Sequence, residues 1–254
     1  MPDQAELWSR AARNYEEDFI DPYRPEVRNP LLASLKELAG QERVAADLGC
    51  GIGPLLPFLA GHFKTVYAID FAAGMLTRAR ERCSELKNIE FLKRNLNDLA
   101  PLHGQVDVAV AVNSFVMADL DVLEGSLTEA RAILKPGGRF IGIVPAIDAV
   151  HYVTMLLVDR ARKTGMPREA ARHNAAHHGE HKYYDFAFGE FRYQGLEQHF
   201  WQPFEVDYRL QRAGFGRVRL AKVLLDWTQF PCGSDFKSLS PPWDWFFEAE
   251  TSAV

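Results

Sequence analysis

The chain has 254 residues, 47% hydrophobic and 25% charged, with 29 basic against 34 acidic side chains and a net charge of −5. That balance excludes a disordered or low-complexity chain and leaves enough length to bury a core without staples. With no Lys/Arg block it also argues against non-specific nucleic-acid binding, and three scattered cysteines (Cys50, Cys83, Cys232) argue against a disulfide framework or a Cys-rich zinc site.

The first residues contain no apolar run of signal-peptide type, so no leader is expected, and the reduced cysteines point to the cytoplasm. Residues 1–40 read as helical: Asn29-Pro30 is a helix start, Leu31, Leu32, Leu35 and Leu38 follow at helical spacing, and Gly40 is a stop. From Arg43 short apolar runs alternate with amphipathic stretches. Strands are predicted at 44–48, 65–69, 89–92, 106–112 and 139–144, with helices at 54–62, 72–86 and 122–134 between them. Such alternation predicts βαβ units and a parallel sheet covered on both faces. The most apolar stretch, 140–158, is broken by Pro145, Asp148 and His151 into a strand and a helix, so no membrane span is expected.

The alternation stops after Val144. A helix at 149–163, a His-rich segment and an aromatic stretch from Tyr183 to Trp201 intervene. Helix 203–213, the Gly214 cap and strand 216–225 then resume it, and 246–251 reads as a final strand. Residues 146–202 therefore read as an insertion above the carboxyl edge of the sheet.

The strongest signal is Asp47-Leu48-Gly49-Cys50-Gly51-Ile52-Gly53, which follows a strand and opens a helix. Glycines let backbone approach a ligand and adopt positive φ, and a helix start offers unpaired N–H groups. The spacing is G-x-G-x-G rather than the dinucleotide G-x-G-x-x-G. A carboxylate at Asp47 would repel a pyrophosphate but suits a ligand ammonium. The next strand ends in Asp70, where an acidic side chain can accept both hydroxyls of a ribose.

With Val66–Asp70, Asn95-Leu96, Asp107–Asn113 and Leu134-Lys135-Pro136-Gly137-Gly138-Arg139 in order, the chain resembles the class I S-adenosylmethionine (SAM)-dependent methyltransferases, in their broad small-molecule group. The resemblance covers about residues 8–145 and 200–226. It implies an α/β, doubly wound Rossmann-like fold with a mostly parallel seven-stranded sheet and an insertion between strand five and the following helix. The expected parts are an N-terminal helical cap (1–40), a SAM-binding core (41–145 and 203–254) and a substrate-binding insertion (146–202).

The resemblance also implies residue roles. Gly49, Cys50, Gly51 and Gly53 would lie along the aminoacyl end of SAM, with Asp47 near its ammonium and Asp70 on the ribose. Phe71 and Met75 would wall the adenine, Met75 also serving as ordinary helix-face packing. Asn95 stands where the family usually has an acidic residue facing the adenine amino group, and its side-chain oxygen can accept the same bond. The Leu96 backbone would meet the adenine ring. Asn113 would contact the methionine portion or cap its strand. Tyr15 would fold over the cofactor or act as a half-buried helix aromatic.

His173, His177 and His181 are spaced i, i+4, i+8, with His178 beside them. No Cys, Asp or Glu completes a ligand set on that face, so no metal is expected. A solvated helix face is the simplest reading, and His177, His181, His199, Tyr183 and Tyr184 are the candidates for a catalytic base or substrate contact. The aromatic load of the insertion predicts a largely enclosed apolar pocket. The expected function is SAM-dependent methyl transfer to a small, partly apolar or aromatic acceptor, by a monomer or homodimer without nucleic-acid or membrane partners. The alternatives are a methyltransferase acting on RNA or protein and a non-catalytic SAM-binding regulator.

Overall fold

A computed structural model describes residues 4–176, 182–193 and 196–251. Three helices open the chain: α1 (Gln4–Ala11), α2 (Tyr15–Asp18) and α3 (Leu31–Glu37). The alternating part runs β1 (Gly40–Leu48), α4 (Leu56–His62), β2 (Phe63–Asp70), α5 (Ala73–Arg82), β3 (Ile89–Lys93), β4 (Val106–Val112), α6 (Leu120–Ala132) and β5 (Leu134–Pro145). The intervening segment holds α7 (Ile147–Lys163), α8 (Arg168–Ala176), β6 (Lys182–Asp185), β7 (Glu190–Tyr193) and β8 (Leu196–His199). The chain then closes with α9 (Pro203–Arg212), β9 (Val218–Leu224) and β10 (Trp243–Glu250).

The large sheet has the order β3-β2-β1-β4-β5-β10-β9, and β10 runs antiparallel to both its neighbours. This is the seven-stranded, mostly parallel α/β fold expected. The central β4, VDVAVAV, is apolar almost throughout because helices cover both faces. One face packs Leu123, Leu127, Val206 and Leu210 from α6 and α9, and the other packs Leu31, Leu35, Leu59 and Leu76 from α3, α4 and α5. Strand order reverses between β1 and β4, and in such sheets the ligand crevice lies beyond the carboxyl ends at that reversal.

Two of the boundaries that differ from expectation have a clear local cause. Leu134–Arg139 was expected as a turn, yet β5 begins at Leu134: Val106 pairs with Leu134 and Val108 with Arg139, so the extra residues are absorbed as a register shift around Gly137, whose φ is 73°. Helix α5 ends at Arg82, with Cys83 and Leu86 folding back as a buried cap and an adjoining half-buried side chain.

Strands β6, β7 and β8 form a separate antiparallel sheet. It is stitched to the core through backbone. His199 N–H donates to the Val116 carbonyl at 2.8 Å, Trp201 N–H to Pro145 at 2.8 Å and Ile147 N–H to Trp201 at 3.2 Å. The buried Trp201 indole donates to the Phe115 carbonyl at 2.7 Å. Below it, Leu156 and Leu157 of α7 pack on Trp227 and Phe236. Among the described residues, no helix is long and apolar enough to cross a membrane.

Candidate active site

The glycine loop is built by its backbone. Gly49 and Cys50 N–H both donate to the Ile69 carbonyl, at 2.8 and 2.9 Å, which folds the loop over the end of β2. Gly49, Gly51 and Gly53 have φ of 75°, 53° and 78°, a region costly for side-chain-bearing residues. Their reasons differ. A Cβ on Gly49 would lie 2.3 Å from Ser114 Cβ, and one on Gly53 would crowd Leu56 and Ala79, whereas a Cβ on Gly51 would meet nothing within 4 Å. Gly51 thus presents bare backbone to open space.

That space is a cavity of ≈ 510 Å³ at the strand-order reversal, lined by Trp8, Tyr15, Gly49, Gly51, Asp70, Phe71, Met75, Asn95, Leu96 and Asn113. Asn97, Ser114, Val116, Met117 and Glu197 complete much of its wall. A second cavity of ≈ 280 Å³ shares Tyr15, Gly49, Gly51, Val112 and Asn113 with the first and adds Asp47, Cys50, Asp21 and Tyr23. The sequence-predicted cofactor residues therefore converge, except Gly53, which lines neither cavity.

Asp70, at the tip of β2, is buried, and its two oxygens accept from Gly51 N–H at 3.0 Å and Ala72 N–H at 2.8 Å. Burial raises its pKa, opposed by those backbone donors and that of Phe71. Asp47, 3% exposed at the end of β1, is pushed up to about 7 by burial and then by the charge of Asp70. The Tyr15 phenol is pushed up to about 12 by burial, with Asp70, Asp21 and Asp47 adding to it. The ring stacks on Phe19 at 4.8 Å.

Helix α1 reaches this site because α5 lets it come close. Gly74 N–H donates to Ser9 Oγ at 3.3 Å, a Cβ there would lie 2.7 Å from the Ser9 carbonyl, and Arg78 donates to the Ala12 carbonyl at 2.8 Å. Trp8 and Tyr15 then pack on Ala12, Ile52, Ala72 and Met75, over the glycine loop.

Asn113 follows β4 with a φ of 52°, and among the described residues no other non-glycine residue has a positive φ. Its amide nitrogen donates to Asp244 Oδ2 at 3.4 Å, while its buried Oδ1 has no partner. An orphaned buried acceptor on a residue that lines both cavities is a group that a ligand or water would complete.

An enclosed aromatic pocket was expected of the insertion. Among its described side chains, Phe186, Phe188, Phe191, Phe200 and Trp201 line neither cavity, and Glu197 lines the first. Trp201 is drawn into the core by its indole bond, Phe191 meets Phe200, and Phe188 is 72% exposed in the β6–β7 turn. His199 lines neither cavity. It is 4% exposed, its Nε2 lies 2.9 Å from Glu205 Oε1, and Glu205 is in turn bound by Arg209 at 2.6 Å. Burial alone would raise the Glu205 pKa; His199 and then Arg209 outweigh that and lower it. Tyr183 and Tyr184 fall on β6, while His177 and His181 lie outside the described residues. His173 is exposed on α8. Among the described residues, no group of three His, Cys, Asp or Glu could hold a metal ion.

Asn97 and Ser114 adjoin motif residues and could have been found by extension. Glu197 carries no sequence signal, since the fold alone brings it to the cavity, and the same holds for the contact of Asp244 with Asn113.

Residues 45–138 match a family described as methyltransferase domain. A demethylmenaquinone methyltransferase of Tropheryma whipplei is 33% identical over 103 residues, 41% of this chain and 41% of that protein. Malonyl-[acyl-carrier protein] O-methyltransferase 2 of Coxiella burnetii is 36% identical over 94 residues, 34% of this chain and 37% of that protein. The matched part thus spans about two fifths of these relatives' own lengths. Among solved structures, a Burkholderia thailandensis 1,6-didemethyltoxoflavin-N1-methyltransferase, with its substrate and S-adenosylhomocysteine bound, has a TM-score of 0.65 at 13% identity, covering 98% of this chain and 87% of that one. The DhpI–SAH complex has a TM-score of 0.57 at 17% identity, covering 99% and 96%. Residues 45–138 thus match a methyltransferase domain, and the fold is shared with structures that hold S-adenosylhomocysteine.

Proposed function

We propose that this chain transfers the methyl group of SAM to a small, partly apolar or aromatic organic acceptor. The observation that carries the reading is the convergence of Gly51, Asp70 and Asn113 on one cavity at the strand-order reversal. The residues fit the cofactor. Gly51 leaves room against its backbone, Asp70 and Asp47 are buried carboxylates, and Asn113 Oδ1 is a buried acceptor awaiting a donor. SAM brings ribose hydroxyls and an ammonium, the matching donors, and supplies a methyl group already activated on a sulfonium.

In this reading Asp70 holds the ribose, Asp47 and the Gly49–Cys50–Gly51 backbone hold the aminoacyl end, and Phe71, Met75, Asn95 and Leu96 hold the adenine. Tyr15 and Trp8 close over the site and exclude water. Gly53 serves by letting α4 pack against α5. Residues 1–40 and 146–202 choose the acceptor around the core formed by 41–145 and 203–254. Catalysis comes chiefly from holding the acceptor's lone pair in line with the methyl group. A hydroxyl or amine acceptor must also lose a proton. No His or Lys stands among the described lining residues, so His177, His181, Tyr183 and Tyr184 are the groups we propose for that base. The small acceptors in the names of two of the similar proteins, demethylmenaquinone and 1,6-didemethyltoxoflavin, support this reading, while the Coxiella burnetii protein is named for a malonyl group on acyl-carrier protein.

The test is turnover of SAM to S-adenosylhomocysteine with a metabolite panel, paired with calorimetry on Asp70→Ala. Hydrogen bonds to a charged group contribute about 1.5–3 kcal/mol, so the variant should bind SAM tenfold more weakly or worse. Unchanged affinity in the folded variant, or a pyridine nucleotide binding more tightly than SAM, refutes the assignment.

A further inference from the structure

Asp244 sits second in β10, opposite Pro145 at the end of β5, and is 7% exposed. It lines neither described cavity, yet it touches a residue that lines both. Its Oδ2 accepts from the Asn113 amide nitrogen at 3.4 Å, and its carboxyl also takes the backbone N–H of Ala146, where β5 hands over to α7. Asn113 N–H is itself committed to the Ile143 carbonyl at 2.8 Å. A carboxylate is bound here to the end of β4 and to the root of the insertion at once.

The consequence lies in how an Asn amide is built. Its donors are on the nitrogen and its acceptors on the oxygen, so anchoring the nitrogen on a fixed acceptor points the oxygen the other way. Asn113 Oδ1 is left buried and unpaired, which folded proteins avoid unless a ligand or water completes the site. Without Asp244 the amide could turn over and offer a donor instead. The smaller cavity that Asn113 helps to line also holds the Asp47 carboxylate. Two acceptors at one wall suit an ammonium, not a carboxylate or a phosphate.

Building on the SAM reading above, we propose that Asp244 is a positioning residue that fixes the Asn113 side-chain oxygen toward the junction of the two cavities, where it accepts from the ammonium end of the cofactor. Asp244 touches no ligand. It acts through Asn113, and it also locks the start of the insertion to the cofactor site.

The experiment compares two ligands by calorimetry: S-adenosylhomocysteine, and 5′-methylthioadenosine, which keeps the nucleoside and sulfur but lacks the aminoacyl end. Asp244→Ala should weaken S-adenosylhomocysteine about tenfold, as loss of an oriented charged hydrogen bond does, and leave methylthioadenosine unchanged. Asp244→Asn, whose amide oxygen can still accept from Asn113, should restore affinity to within about threefold of wild type. Asn113→Ala alone should show the same selective loss, and adding Asp244→Ala to it should cost nothing more. Should Asp244→Ala not fold, the near-isosteric Asp244→Leu replaces it in the same comparison. Equal weakening of both ligands, additive losses in the double variant, or no rescue by Asn overturns the proposal while leaving the cofactor reading intact. Wild-type protein that binds neither ligand overturns both.

Discussion

Asp47 offers a direct electrical test of the site. It is buried at the end of β1 and pushed up to about 7, by burial first and by Asp70 second. The sign follows. A carboxyl whose folded-state pKa is raised keeps its proton longer than in the unfolded chain, so ionising it costs stability as pH climbs from about 4 to about 7, and the cost is constant above that. Binding runs the other way, because a ligand ammonium pairs with the ionised form alone. That form is about one part in eleven at pH 6, half at pH 7 and about ten parts in eleven at pH 8.

The apparent affinity for S-adenosylhomocysteine should therefore tighten about fivefold from pH 6 to 7 and about twofold more by pH 8. At pH 7 binding should release about half a proton, read from calorimetric heats in buffers of different ionisation enthalpy. Asp47→Asn should bind more weakly and show a clearly smaller pH dependence. Asp244, also pushed up to about 7, remains in that variant, so the part of the slope that disappears is the Asp47 part. A flat profile in the wild type, or an unchanged slope in Asp47→Asn, refutes the pairing of Asp47 with an ammonium.

The other predictions concern the loop and the insertion. Gly49→Ala combines a φ of 75° with a Cβ 2.3 Å from Ser114, and should lower the thermal midpoint and cost at least about 1–3 kcal/mol of stability by denaturant titration. Gly51→Ala meets no protein atom within 4 Å, so its loss beyond the backbone strain should appear in SAM affinity rather than in packing. His199→Gln should lower stability by about 1–3 kcal/mol through the lost Glu205 contact, with kcat within about threefold of wild type. A hundredfold loss of kcat at unchanged stability would instead make His199 a base.

Most of the fold was legible because its signals are local. The apolar VDVAVAV run of β4, the glycine loop and the Leu-rich α3 each declare a strand, a turn or a helix within a few residues. The positions of the candidate cofactor residues were legible for the same reason: Asp47, Gly49, Gly51 and Asp70 stand at or just beyond strand ends, where alternation of strand and helix fixes the direction in which they emerge. The insertion was not. Its aromatic residues announce burial without saying against what, and the backbone stitching of His199 to Val116 and of Trp201 to Pro145 leaves no mark in the side chains. Trp201 shows the difficulty, since it fills the core beneath the site rather than its wall.

The pairing of Asn113 with Asp244 explains why such a residue cannot be read from a sequence. The two are separated by the whole insertion, α9 and β9, and meet because β10 enters antiparallel beside β5 and brings its first residues to the carboxyl edge of a sheet whose other strands end there. A carboxylate near the start of a last strand would ordinarily be taken for a solvated strand end. Here the antiparallel entry buries it, the register opposite Pro145 sets it beside Ala146, and the left-handed turn at Asn113 brings the amide within its reach. The insertion leaves the core from the same point. Movement of α7 at its root would therefore bear on Asp244 and, through it, on the Asn113 amide. That gives the insertion a physical link to a residue of the cavity wall without any residue of α7 having to enter it.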